Sequence, residues 1–394
     1  MERIRNIRLV DTTLRDGEQS PGVCFSPELK VEILKMLVQA GINDFEIGTP
    51  AVNEDEQQAI RQMFELGLDA NLSVWCRARK EDLELAYKLG AKMVNLSLPV
   101  SVVQLEAISK SENWAINQLV DCLEYANSHF DFITVGAQDG SRAELKFLDS
   151  YIQTAIAFDK VKRIRIADTV GIMNPFSVFE LFARVTENFP ETEFEFHGHN
   201  DLGMANANAL AAIKGGADLV SVTVNGLGER CGNTPLEELV IALQYSENIN
   251  LNINKRRLMA ICDIMATISG RKIWDSKPFN GKMCFTHESG IHTRSLIENP
   301  LAYQPFRPED VGRKMSFIYG KHSGKAAIIS LLNKHHLSFT DEVIQFLLSE
   351  IKRLRMSSSG YTETDVIELY HRHFTKHVNS KKLFQSKNDW IGLN

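Results

Sequence analysis

Eight short runs of apolar, largely β-branched residues recur along the first two-thirds of the chain, at about 7–13, 44–50, 71–77, 93–99, 132–139, 163–170, 193–200 and 219–226. Leu219-Val220-Ser221-Val222-Thr223-Val224 is apolar or small throughout, as suits a strand buried on both faces of a parallel sheet. The sixth run is less regular, because Arg163-Ile164-Arg165-Ile166 alternates basic and apolar side chains. Its place in the series and its apolar partners make it a strand. Helical spacing fills the intervals, as in Ala59-Ile60-x-x-Met63-Phe64 and Leu83-x-x-Ala86-Tyr87-x-Leu89, each with a glycine following near the helix end. Eight βα units over about 270 residues predict an α/β fold, a closed (β/α)8 TIM barrel rather than an open doubly wound sheet.

The alternation stops near residue 275, and Trp274 to Gly324 is rich in Gly, Pro, His and basic residues before an amphipathic stretch from Asp341 to Met356. We therefore expect a catalytic barrel over 1–275 and a smaller, mainly helical accessory domain over 276–394, with Ser357-Ser358-Ser359-Gly360 as a loop inside it. A chain of 394 residues with 44% hydrophobic content can bury cores of that size. The net charge of -6 and the pI near 6.0 disfavour nucleic acid or a membrane surface as partner, since either needs a concentrated basic patch. The run Lys352-Arg353-Leu354-Arg355 is short enough to be solvated helix surface. Six cysteines lie far apart without a CxxC pair, which fits a reducing cytoplasm. The stretch Met1-Glu2-Arg3-Ile4-Arg5 has no apolar signal core, and no segment approaches the ~20 apolar residues of a membrane span.

The polar residues cluster at one end of the predicted strands. Asp16, Glu46, Arg77, Arg79, Gln138, Asp168, His197, His199 and Asn225 all fall at or just past C-terminal ends, where barrel enzymes build their sites. In Phe194-Glu195-Phe196-His197-Gly198-His199 the two imidazoles sit at i and i+2 of a strand and share a face. With the carboxylate of Asp16 and the amide oxygen of Asn233 they make a mixed N/O set suited to a divalent cation; the plainer alternative is that both histidines only hydrogen-bond in the barrel mouth. Arg15 could hold a carboxylate or a developing enolate oxygen with two parallel donors, or serve as the ion-pair partner of Glu46. The loop Gly226-Leu227-Gly228-Glu229-Arg230-Cys231-Gly232-Asn233 matches neither nucleotide-phosphate motif. His287-Glu288-Ser289-Gly290-Ile291-His292 is one residue too long for a zinc-protease helix. A general base is more plausible for one of its histidines, against the alternative of hydrogen bonding within the loop. Lys321-His322-Ser323-Gly324-Lys325 is a basic turn that either shapes the loop or steers anions.

Three of these motifs, Asp11-Thr12-Thr13-Leu14-Arg15-Asp16-Gly17-Glu18-Gln19, His197-Gly198-His199-Asn200-Asp201-Leu202-Gly203 and Asn225 to Asn233, closely resemble the acyl-CoA Claisen-condensing family of 2-isopropylmalate and homocitrate synthases, and the resemblance spans nearly the whole chain. It implies a divalent metal, Mg2+ or Mn2+ with Zn2+ as an alternative, that binds a 2-oxo acid. Acetyl-CoA is then deprotonated to an enolate that attacks the ketone, and thioester hydrolysis drives the reaction. The same resemblance assigns Asp16, His197, His199 and Asn233 as metal ligands and Arg15 as the polarising arginine. Gln19 and Thr169 fall on oxo-acid contacts, His292 on the catalytic histidine and Tyr303 on its hydroxyl partner, a pair that often reaches a neighbouring subunit and so implies a homodimer.

Within that family, 2-isopropylmalate synthases generally carry an added C-terminal leucine-sensing domain for which this chain leaves no room, whereas nitrogen-fixation-type homocitrate synthases are this size. Glu46-Ile47-Gly48-Thr49-Pro50-Ala51, Val74-Trp75-Cys76-Arg77 and His292-Thr293-Arg294 point the same way, toward 2-oxoglutarate as substrate, with Glu46 among its contacts. Two positions depart. Gln138 stands where the family has an acid, so no carboxylate acts there. Arg79 stands where homocitrate synthases tend to have a substrate-facing histidine; its permanent charge favours a more anionic oxo acid, even a phosphonate-bearing pyruvate, unless it is ordinary surface charge. The remaining alternatives are synthases for other 2-oxo acids, a lyase of the hydroxymethylglutaryl-CoA type, and a barrel that keeps its metal but has lost turnover.

Overall fold

The computed structural model describes residues 7–353 and 360–373. The chain divides into two compact units, Met1–Ile273 and Trp274–Asn394. In the first, eight parallel strands close in chain order, with β8 returning to pair with β1. They are β1 (Arg8–Asp11), β2 (Asp44–Glu46), β3 (Asn71–Arg77), β4 (Met93–Pro99), β5 (Phe132–Gln138), β6 (Val161–Asp168), β7 (Glu193–Gly198) and β8 (Leu219–Val222). Around them run α1 (Pro27–Ala40), α2 (Glu54–Glu65), α3 (Lys80–Lys88), α4 (Val102–Ala107), α5 (Glu112–His129), α6 (Leu145–Ile156), α7 (Pro175–Asn188), α8 (Ala205–Gly215), α9 (Leu236–Ser246) and α10 (Lys255–Ile268). This is the (β/α)8 barrel the sequence predicts.

The helices form where the apolar spacing places them, and their ends are fixed by caps. In α2 the buried face is Ala59, Ile60 and Met63, and the Asn53 side chain accepts from Glu56 N at its start. Asn174 makes a reciprocal capping box at α7, and Gly41 closes α1 in the left-handed region with φ 101°. Several strands stop earlier than the apolar runs do, while β3 and β4 end where expected. Strand β1 ends at Asp11 because its carboxylate turns back to take the Thr13 N–H and hydroxyl, each at 3.0 Å. Strand β8 ends at Val222, and three residues on Asn225 adopts φ 60°. Strand β6 runs 161–168, two residues earlier than the sequence suggests, and both of its arginines are buried: Arg163 and Arg165 are each 4% exposed. The alternation that weakened that prediction is itself an interior feature, because these basic side chains meet acids from neighbouring strands.

The second unit has its own apolar core, built from α12 (Lys325–Lys334) and α13 (Asp341–Lys352) with Val366 and Tyr370 packed among them. Before these come a two-residue pair, β9 (Thr286–His287) and β10 (Ser316–Phe317), and the helix α11 (Gly290–Glu298). The end of the amphipathic stretch expected to reach Met356, residues 354 and 355 of the basic run, Ser357 to Ser359 and the N-terminal pentapeptide lie outside the described residues. Among the described residues, no helix is long and apolar enough to cross a membrane.

Candidate active site

Three strands deliver the central cluster. Past the end of β1 the backbone tightens so that Arg15, Asp16 and Gly17 N–H groups all donate to Thr12 O, at 3.1, 2.8 and 3.1 Å. That turn aims Asp16 inward, beside the two imidazoles at the end of β7. His197 Nε2 lies 2.9 Å and His199 Nε2 3.9 Å from Asp16 Oδ2, and all three residues are buried. One ligand atom from each falls within 4.8 Å of the others, a grouping that could hold a metal ion. Burial would raise the Asp16 carboxyl, but Arg15 and the two histidines outweigh it and hold it far below the usual carboxylate range. His199 is pushed down to about 4, first by burial and then by the neighbouring His197.

The glycine loop closes over this cluster from the β8 side. His199 and Asn233 form an antiparallel bridge, with Asn200 N donating to Gly232 O at 2.9 Å and Thr234 N to Gly198 O at 3.2 Å. Only glycine fits at 232, where φ is 88° and a Cβ would run into Gly226 O. Arg230 straps the loop down through Asp201, with Nε 2.8 Å from Oδ1, and through Thr169 O at 2.6 Å. Asn233 is buried, and neither polar atom of its side chain has a hydrogen-bond partner among the described residues; the same is true of Nδ1 in His197 and His199. Buried amide and imidazole atoms left unpaired are costly. Together with an ionised carboxylate they form the N/O donor set that a divalent cation takes.

Arg15 is held on three sides. Its Nε donates to Glu46 Oε1 at 2.5 Å, its Nη1 is 3.4 Å from Asp16 Oδ2, and its guanidinium carbon lies 5.7 Å from the centre of the Trp75 ring. Arg15 and Gln19 border a cavity of about 380 Å3 shared with Val23, Phe25, Thr49 and Val52. Gln19 itself is exposed, in the short turn Gly17–Gln19.

Glu46, expected among the oxo-acid contacts, is engaged by protein side chains. It is 0% exposed, and both oxygens are engaged: Oε1 by Arg15, Oε2 by Asn95 Nδ2 at 2.7 Å and Arg165 Nη1 at 2.8 Å. Burial would raise its carboxyl, but Arg15, Arg165 and the Asn95 bond outweigh that and hold it at about 2. Thr169 offers its hydroxyl oxygen to Asp139 N at 2.9 Å. Gln138 is half-buried at the end of β5, and the adjacent carboxylate does not replace the missing acid, since Asp139 is bound by Arg142 and Ser101. Arg79 is exposed at the start of α3, its guanidinium without a partner among the described residues, while Arg77 is spent on Asp82 at 2.8 Å. Asp168 and Asn225 shape loops: Asp168 accepts from Ile172 and Met173 N–H, and Asn225 donates to Cys262 O. In the second unit the His292 and Tyr303 rings stack, with centroids 4.1 Å apart, and Gln304 is 2.9 Å from His287 Nε2.

Residues 6–265 match the family described as HMGL-like, and residues 279–359 match the homocitrate synthase post-HMGL domain-like family. The chain belongs to the HMGL-like family. Its curated relatives are similar over nearly their whole length but carry different names. A 2-isopropylmalate synthase 2 of Caldanaerobacter subterraneus is 38% identical over 88% of this chain and 90% of its own. A homocitrate synthase 1 of Nostoc sp. is 38% identical over 89% and 93%, and a 2-phosphonomethylmalate synthase of Streptomyces rubellomurinus 35% over 92% and 98%. Among solved structures, a hydroxymethylglutaryl-CoA lyase from Pseudomonas aeruginosa covers 69% of this chain and 96% of its own with a TM-score of 0.60 at 19% identity. That likeness shows the HMGL-like barrel fold.

The sequence reading missed Asn95, Arg165 and Glu195, which fill the barrel interior beneath Arg15. The signal was present in the paired alternations Arg163-Ile164-Arg165 and Glu193-Phe194-Glu195, which fall in register on adjacent strands.

Proposed function

We propose that this chain is an acyltransferase that condenses acetyl-CoA with a 2-oxo acid, 2-oxoglutarate foremost, forming a carbon–carbon bond and releasing CoA by hydrolysis. The observation that carries the reading is the convergence of Asp16, His197 and His199 on one point beside a fixed Arg15, in a chain whose relatives bear synthase names. Asp16, His197, His199 and Asn233 would hold a divalent cation, Mg2+ or Mn2+ foremost for the oxygen donors, with Zn2+ the alternative for the two imidazoles. When bound, that cation supplies Lewis-acid polarisation of the oxo acid. Arg15 offers its outward N–H groups to the oxygen on which negative charge develops, and Thr169 and Gln19 orient the acid. His292 takes a proton from the methyl carbon of the thioester and Tyr303 supports it, within a homodimer working in the cytoplasm. The free guanidinium of Arg79 favours an oxo acid with a second anionic group, a distal carboxylate or a phosphonate, over a branched apolar one.

Free thiol released from acetyl-CoA by the purified protein with Mg2+ or Mn2+, across 2-oxoglutarate, 2-oxoisovalerate, pyruvate, oxaloacetate and phosphonopyruvate, tests this. We expect release with a dianionic or more highly charged acid. No thiol with any of them would refute the assignment, and cleavage of hydroxymethylglutaryl-CoA without acetyl-CoA consumption would make the chain a lyase.

A further inference from the structure

Glu46 is 0% exposed and both of its oxygens accept from other side chains, which gives it a task inside the barrel whatever else it meets. Its Oε2 is gripped from two strands, by Asn95 of β4 and Arg165 of β6. On its other side Arg165 is ion-paired, with Nε 2.9 Å from Glu195 Oε1 but outside hydrogen-bond geometry, and that oxygen accepts the Ser221 hydroxyl at 2.5 Å. The interior of such a barrel is ordinarily filled by branched apolar side chains, and burying charges there is costly unless each is paired and hydrogen-bonded. Here the pairing has a direction. Two different nitrogens of Arg165 span Glu195 and Glu46, and the Glu46 oxygen left over receives Arg15 Nε at 2.5 Å. With Nε so held and Nη1 3.4 Å from Asp16 Oδ2, neither Nη of Arg15 makes a hydrogen bond among the described residues.

We propose that Arg165, assisted by Asn95, is a positioning residue that acts through Glu46 to fix the guanidinium of Arg15 at the cluster of Asp16, His197 and His199. Arg165 touches neither substrate nor metal. Removing its grip lets Glu46 swing, and Arg15 with it, and a displacement of about 1 Å in a charge-stabilising group costs on the order of 100-fold in rate. The kinetic half of the test rests on the proposed reaction; the spectroscopic half does not.

The experiment uses the full chain labelled with 15N-arginine, the Arg15 Nε–H signal being assigned through Arg15→Lys. Arg165→Lys keeps the charge but cannot bridge two carboxylates with separate nitrogens, and Arg165→Met removes it. We expect solvent exchange of Arg15 Nε–H to quicken about tenfold or more in both, and kcat for thiol release to fall about 10- to 100-fold. Mn2+ affinity, read by the spin resonance of free Mn2+, and KM for acetyl-CoA stay within about twofold, as expected of a group that touches neither. In an Arg15→Ala background Arg165→Lys lowers kcat no further. If Arg165→Met does not fold, Arg165→Lys and Asn95→Ala decide. Unchanged Nε–H exchange, or losses that multiply with those of Arg15→Ala, overturn the proposal. A wild-type chain that releases no thiol sinks the proposed reaction and leaves the exchange rate to judge the positioning role.

Discussion

Asp11 gives the site loop a pH dependence that can be isolated with one substitution. It is 1% exposed at the end of β1, with Oδ1 taking the Thr13 N–H and Oδ2 the Thr13 hydroxyl, while that hydroxyl oxygen accepts Val224 N–H at 2.9 Å. The start of the loop that carries Arg15 and Asp16 is thus tied, through the Thr13 hydroxyl, to the turn that follows β8. Burial pushes Asp11 from 3.8 up to about 7, against the pull of the two Thr13 bonds. Between those values the native chain holds a proton that the unfolded chain has lost, so the unfolded state binds fewer protons and stability falls as pH rises. The contribution is full below about 3.8 and gone above about 7. A gap of about three units at ~1.4 kcal/mol each is worth about 4 kcal/mol, a large part of what typically holds a domain together. Asp11→Asn keeps the shape and the acceptor for Thr13 N–H, loses the titration, and costs about 1 kcal/mol for re-pairing with the hydroxyl. Urea unfolding from pH 5 to 9 should therefore show the stability of the wild type relative to the variant dropping by about 1.4 kcal/mol per pH unit up to about 7. Above that it should be level, with the variant the more stable protein near pH 8. Parallel curves for the two proteins would refute the buried-proton argument.

Mn2+ at a hundred times its dissociation constant should stabilise the chain by about 2.7 kcal/mol, a rise in Tm that chelation reverses and that His197→Ala or His199→Ala abolishes; equal shifts in those variants would place the ion elsewhere. Gly232→Ala, with φ 88° and no room for a Cβ, should cost about 1–3 kcal/mol and weaken Mn2+ binding through the adjacent Asn233, so a wild-type Tm and affinity would count against the loop's role. Asn174→Ala removes the α7 capping box and should lower stability by about 1 kcal/mol with kcat unchanged, checked by urea titration beside the thiol assay.

The barrel was legible because a parallel strand buried on both faces has to be a short apolar run, and eight such runs stand at regular intervals between helical patterns. The Asp16, His197 and His199 grouping was legible for a similar reason: the two histidines share a face by strand geometry alone, and Asp16 lies in the turn that follows β1. What the sequence could not deliver is which charges face inward. Arg163 and Arg165 look like the exposed half of an amphipathic strand until Glu195 and Glu46 are seen opposite them. Glu46 ends a strand at the functional face, and only the structure shows that Arg15, Asn95 and Arg165 all converge on it. Asn225 does fall just past β8, but its side chain donates to Cys262 O, a partner that periodicity does not reveal. Each miss is a partner chosen across the barrel, between residues far apart in the chain, where local periodicity carries no information.

The inward charges also bear on which oxo acid the site prefers. The Asp16 carboxylate is answered by Arg15, and the buried Glu46 by Arg15 and Arg165, before any ligand arrives. A divalent cation at this cluster would add positive charge beside Arg15, and the exposed Arg79 past β3, without a partner among the described residues, would add to it. A low-dielectric cleft of one sign focuses field lines and raises the local concentration of the opposite charge. The capture rate of the oxo acid should then fall as ionic strength rises, more steeply for a doubly than for a singly charged acid, and Arg79→Ala should flatten that difference while leaving Mn2+ affinity alone. kcat/KM measured between 20 and 300 mM salt, concentrations at which the Debye length falls from roughly 20 to 6 Å, decides the matter. Equal salt slopes for 2-oxoglutarate and pyruvate would remove the electrostatic basis for preferring a dianionic substrate.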